Sequence, residues 1–151
     1  MLFMTAILLY DKRKTAAPAD QKGVLHQMKL EILPYNLTVC KLNSTDSIDP
    51  GADFYFIGKT DEEISLVCRT ERTPAETSAR EDGWRGFRIE GTLDFSLTGI
   101  LSGLSAVLAE KGIGIFALST YNTDYILVKE GNFGQAVSAL EAAGYVIRDL
   151  K

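Results

Sequence analysis

Histidine is nearly missing from this 151-residue chain, which has one, and cysteine and proline are scarce, with two and four. The lone His26 lies in an N-terminal stretch without hydrophobic periodicity, so neither a Ser/His/Asp triad nor a histidine-rich metal site is expected. Cys40 and Cys68 sit far apart in apolar, strand-like segments and fit neither a CxxC redox pair nor a zinc pattern. They read as buried, reduced thiols, the other reading being a modified or ligand-facing thiol. Positive charge is also short: 16 Lys and Arg stand against 20 Asp and Glu, a formal net charge of −4. Apart from Lys12-Arg13-Lys14 the basic residues are scattered, and a nucleic-acid partner would need them clustered. No apolar run approaches the roughly 20 residues that cross a bilayer. Leu2 to Tyr10 is mostly apolar, but its basic cluster follows it, the reverse of a secretory signal. Neither a membrane nor export is expected, and the location expected is cytoplasmic.

What is present is ordinary globular composition, 46% hydrophobic and 24% charged, enough for one core or two small fused units. Lys12 to Gln27 has a linker-like text, so residues 1–27 are expected to be a disordered leader or an over-extended start. Met28 opens a strand pattern. Leu37–Leu42 (LTVCKL), Asp53–Lys59 (DFYFIGK) and Ile64–Arg69 alternate as strands, the last two joined as a hairpin by Thr60-Asp61-Glu62-Glu63. That acidic turn reads as solvated, because a Ca or Mg site needs more converging oxygens. Thr70 to Asp82 is charged and contains proline, and reads as a connection with at most one helical turn.

From Gly86 the pattern sharpens. Gly86–Glu90 reads as a strand, and Leu97, Ile100, Leu101, Leu104 and Leu108 give the one-sided spacing of a helix packed on a sheet. Asp94 or Ser96 is expected to cap its start and Gly112 to end it. Strands are expected over Ile113–Ser119 and Asp124–Lys129, joined by Thr120-Tyr121-Asn122-Thr123, then a helix from near Asn132 to Gly144 and a last strand, Tyr145–Asp149. The order is β-α-β-β-α-β, the ferredoxin-like plan. The first half reads as a reduced copy of it, an internal repeat of about fifty residues. The expected division is 1–27 leader, 28–83 degenerate half and 84–151 complete half.

The runs GTLDFSLTGIL (91–101), GIGIFALSTYNTDYILVK (112–129) and NFGQAVSALEAAGYVI (132–147) resemble an ACT domain. More narrowly, with FYFIGKTDEEISLVC and GWRGFRIEG, the chain is similar to small bacterial paired-ACT proteins grouped with the ACT modules of aspartate kinases and the arginine-sensing CASTOR proteins. The resemblance runs from about Leu30 to the C-terminus. It implies an α+β fold, a ferredoxin-like ACT domain behind a degenerate ACT-like half in tandem. It also implies regulatory binding of an amino acid or similar metabolite at an interface between ACT units or subunits.

Composition places two polar clusters at the turns. Gly91 to Gly99 lets backbone approach closely, and the free N–H groups of a helix start suit a carboxylate, with the Ser96 and Thr98 hydroxyls adding donors. The bland reading is a capped helix start. Asp124 can pair with an ammonium by a charge-assisted bond or simply stabilise its turn. By family position the candidate ligand-binding residues are Asp94, Phe95, Ser96, Leu97, Thr98, Thr120, Tyr121, Asn122, Thr123 and Asp124, with Ile113 and Ile115 as apolar walls. No catalytic residue, metal ligand or cofactor is expected. Gly112-Ile113-Gly114 follows a helix instead of opening one and is no dinucleotide fingerprint. The leading expectation is a non-enzymatic homodimeric sensor of an amino acid. The alternative is a protein-interaction module on the same scaffold, with a partner enzyme or transporter and no ligand.

Overall fold

The computed structural model describes residues 28–91 and 99–150. Residues 1–27, expected as a leader, lie outside the described residues. The chain divides into two compact units: Tyr35–Arg85, and the described residues of Met1–Pro34 with Gly86–Lys151. Strand Ala79–Ile89 is divided between them.

The Tyr35–Arg85 unit is a sheet in the order β3-β4-β2-β5, with β2 at Leu37–Leu42, β3 at Tyr55–Lys59, β4 at Ile64–Arg69 and β5 at Ala79–Ile89. The alternation in LTVCKL puts Cys40 and Leu42 on one face, where they meet Leu66 and Cys68 in a buried cluster with Ile48, Tyr55 and Ile64 against it. The β3–β4 hairpin closes with Thr60 N–H donating to Glu63 O at 2.9 Å, and Thr60 Oγ1 accepts from the Glu62 and Glu63 N–H groups. After β4 the chain makes only a 3-10 turn, Thr70–Arg72.

The expected connection at Thr70 to Asp82 is overturned in its second part, where β5 begins at Ala79 and pairs with β2 through Lys41↔Ala79, Cys40↔Arg80 and Val39↔Glu81. Arg80, Glu81 and Asp82 carry no apolar alternation, so the strand was illegible by pattern. It is held by polar bonds instead. The fully buried Thr38 hydroxyl lies 2.5 Å from Asp82 Oδ1, which also accepts from Arg80 Nε at 2.9 Å.

The second unit contains β1 (Lys29–Ile32), the end of β5, α1 (Ile100–Glu110), β6 (Phe116–Ser119), β7 (Asp124–Lys129), α2 (Glu130–Ala142) and β8 (Val146–Asp149). From β5 onward this is the expected strand-helix-strand-strand-helix-strand order. Ile100, Leu104 and Leu108, four residues apart, form the buried stripe of α1 and pack with Ala136 and Leu140 of α2 onto Leu30, Phe87, Ile89, Ile126 and Val128 of the strands. Phe87 and Phe133 stack in this core with centroids 5.0 Å apart. Both helices stop the same way. Gly112 and Gly144 take φ of 70° and 99°, and the next residues, Ile113 and Tyr145, donate back to Leu108 O and Leu140 O at 3.0 and 3.1 Å.

The strand pattern alone had grouped residues 28–34 with the N-terminal half. Here β1 lies between β5 and β8, antiparallel to β5 through Leu30↔Ile89 and Ile32↔Phe87 and parallel to β8 through Lys29↔Val146 to Ile32↔Asp149. Alternation says which face a residue takes but not which strand it joins. The unit's strand order is β6-β7-β5-β1-β8. Element ends shift by a few residues, as pattern reading allows: β3 starts at Tyr55, β6 at Phe116 and α2 at Glu130.

Candidate ligand-binding site

The turn from Thr120 to Asp124 joins β6 to β7 and is built like the Thr60 turn. Thr120 N–H donates to Thr123 O at 2.9 Å, and Thr120 Oγ1 donates to the same oxygen at 3.0 Å. Thr123 is buried, 7% exposed, and its hydroxyl donates to Ile89 O at 2.9 Å. That bond fixes the turn against the end of β5, two residues before Gly91. Ser119 Oγ donates to Asp124 Oδ1, leaving Asp124 Oδ2 without a hydrogen bond among the described residues. Tyr121 is 80% exposed, and Asn122 is exposed beside it.

Asp94, Phe95, Ser96, Leu97 and Thr98 lie outside the described residues, and so do the Asp94 and Ser96 caps. The described start of α1 is Gly99, an N-cap without a side-chain cap, whose carbonyl accepts from Gly103 N–H at 2.8 Å. Ile113 is 4% exposed and part of the helix-side core, and Ile115 packs against that core. The structure thus brings Thr120, Thr123 and Asp124 into one bonded turn beside β5.

Sequence reading missed a second polar assembly. Glu31 on β1 stands in register with Arg88 on β5 and Arg148 on β8. Arg88 Nε and Nη2 donate to Glu31 Oε2 at 2.9 and 2.6 Å, and Arg148 Nη2 donates to Glu31 Oε1 at 3.0 Å and to Glu90 Oε1 at 2.5 Å. Burial opposes the Glu31 charge, but the bonds and charges of the two arginines outweigh it and hold the carboxyl below the usual range. Arg88 is raised in turn, first by its bond to Glu31. The signal was present in the single Glu of the strand KLEI, but only the register names its partners.

The two thiols are free and buried, and burial pushes Cys40 up to about 11 and Cys68 upward as well. Among the described residues no group of three or more His, Cys, Asp or Glu side chains could hold a metal ion. Among them too, no helix is long and apolar enough to cross a membrane.

A family model described as an ACT domain matches residues 79–142, spanning α1, the Thr120–Asp124 turn and α2. A separate model, described as an N-terminal domain, matches residues 36–76. The chain thus contains a segment, residues 79–142, that matches the ACT-domain family. Its similarity to a crystal structure of an Agobacterium tumefaciens protein has 30% identity and a TM-score of 0.73, covering 83% of this chain and 95% of that one. A Vibrio cholerae protein of unknown function, described as a possible transport protein, is 22% identical with a TM-score of 0.62, over 83% and 96% of the two chains. The regulatory subunit of aspartate kinase from Thermus thermophilus shares the fold at 12% identity and a TM-score of 0.52, over 76% and 96%. No curated protein sequence matches the chain.

Proposed function

We propose that this chain is a regulatory ACT protein that binds an amino acid or similar small metabolite at an interface between subunits of a cytoplasmic homodimer. The observation that carries the reading is the ACT match over residues 79–142, which includes a turn whose Asp124 keeps one carboxylate oxygen unengaged among the described residues. That oxygen suits a ligand ammonium. Asp94, Phe95, Ser96, Leu97 and Thr98 are proposed to supply the carboxylate side, with Tyr121 and Asn122 exposed at the rim. Regulation then requires the ligand to favour one association state over another.

The narrower reading is a tandem of two ACT units, as in the paired-ACT group with CASTOR-type sensors. It draws support from the two hairpins. Thr60 and Thr120 open their turns with the same N–H···O bond at 2.9 Å, and each hairpin neighbours a strand that leads into a crossover. In the Tyr35–Arg85 unit the second crossover is reduced to Thr70–Arg72.

A second reading, an interaction module with no ligand, has its own observation. The Thr120, Thr123 and Ser119 hydroxyls are all engaged within the turn and strand, and Tyr121 presents a large exposed ring. It predicts a partner enzyme or transporter. Thermal-shift and calorimetric titration with the protein amino acids separates the two, because only the first predicts a saturable shift that Asp124→Ala removes.

A further inference from the structure

We infer that Arg148 is a shared clasp that can move its grip from Glu31 to Glu90, and that this exchange sets how firmly β1 is held. Glu31, Arg88 and Arg148 stand side by side on adjacent strands, and Glu90, two residues beyond Arg88, projects from the same face. One nitrogen, Arg148 Nη2, serves both carboxylates, at 3.0 Å to Glu31 Oε1 and 2.5 Å to Glu90 Oε1. Meanwhile Arg148 Nε and Glu90 Oε2 are buried with no hydrogen-bond partner among the described residues. These are one donor and one acceptor, the pair that a two-pronged arginine–carboxylate fork would join.

Buried polar atoms left unpaired are costly, so the arrangement has a close competitor. Rotation of Arg148 onto Glu90 with both prongs satisfies the two orphans and leaves Glu31 to Arg88, which already holds it by two bonds. Tyr125 of β7 also bonds to Arg88. The exchange therefore strips β1 of the Glu31–Arg148 ion pair while the sheet bonds stay in place. Glu90 is also tied to β1 through its backbone, donating from N–H to Lys29 O at 2.9 Å, so both carboxylates act on the same short strand. That strand leads through Leu33 and Pro34 directly into Tyr35, where the other unit begins. The device needs no ligand and stands apart from the amino-acid reading.

Hydrogen exchange on the full chain, followed by NMR at the β1 amides and at the Arg148 Nε–H, tests the clasp. Glu90→Gln removes the competing charge, and exchange in β1 should slow about three-fold as Arg148 settles on Glu31. Glu31→Gln should do the opposite to the arginine, raising protection of its Nε–H about ten-fold as the fork forms on Glu90. Glu90 is the more exposed of the two carboxylates, at 31% against 10%, so Glu90→Gln keeps the test decisive if Glu31→Gln fails to fold. Exchange in β1 that is unchanged or faster in Glu90→Gln overturns the inference. So does an Arg148 Nε–H whose protection does not change in a folded Glu31→Gln protein.

Discussion

Replacing Thr123 by Val removes one hydroxyl from an almost unexposed position while keeping the side-chain shape. In the native protein that hydroxyl donates to Ile89 O at 2.9 Å, and the residue is 7% exposed. Water cannot readily replace the lost donor, so the expected cost is that of an unsatisfied buried acceptor, about 1–3 kcal/mol. A surface threonine would cost about 0.5 kcal/mol or less. For a chain of this size each kcal/mol lowers the melting temperature by about 2–4 °C. Urea denaturation with an unchanged m-value should read the loss directly. The bond also fixes the turn beside the end of β5, so the Thr123→Val protein should bind ligand more weakly than its stability alone requires. A stability within about 0.5 kcal/mol of the parent would refute the assignment of Thr123 as the anchor of the turn.

Other consequences follow from the core, the ion network and the thiols. Leu104→Ala empties the middle of the α1 stripe, where the side chain is fully buried, and should cost about 2–5 kcal/mol by denaturant titration. Because Glu31 is held below its unfolded pKa, the stability it contributes is present above about pH 4.3 and is lost as pH falls through its folded value. Melting between pH 3 and 6 should show that loss, and Glu31→Gln should flatten the slope. Cys40, with its thiol pushed up to about 11, and Cys68 beside it should resist a thiol reagent at pH 8 in the native protein and react once urea unfolds it.

The parts legible in the sequence were those where one property repeats at one spacing. Ile100, Leu104 and Leu108 declared α1, LTVCKL and ISLVCR declared β2 and β4, and Gly112 and Gly144 marked the helix stops. What escaped depends on partners far along the chain. The charged start of β5 is stabilised by Thr38, forty-four positions from Asp82, and no local pattern records that bond. The placement of β1 between β5 and β8 rests on pairings with residues up to 117 positions away, as in the Glu31–Arg148 pair. At the candidate site the residue types of the Thr120–Asp124 turn were evident, but their engagement with one another, and with Ile89 O, is set by the fold and not by local spacing.

The central claim is that the chain senses an amino acid through the turn at Asp124. Isothermal titration of the full chain with each protein amino acid tests it most directly. The account predicts saturable heat with at least one of them, lost in Asp124→Ala while the melting temperature of the ligand-free protein stays near the parent value. Absence of binding by all of them, or equal binding by the Asp124→Ala protein, would contradict it.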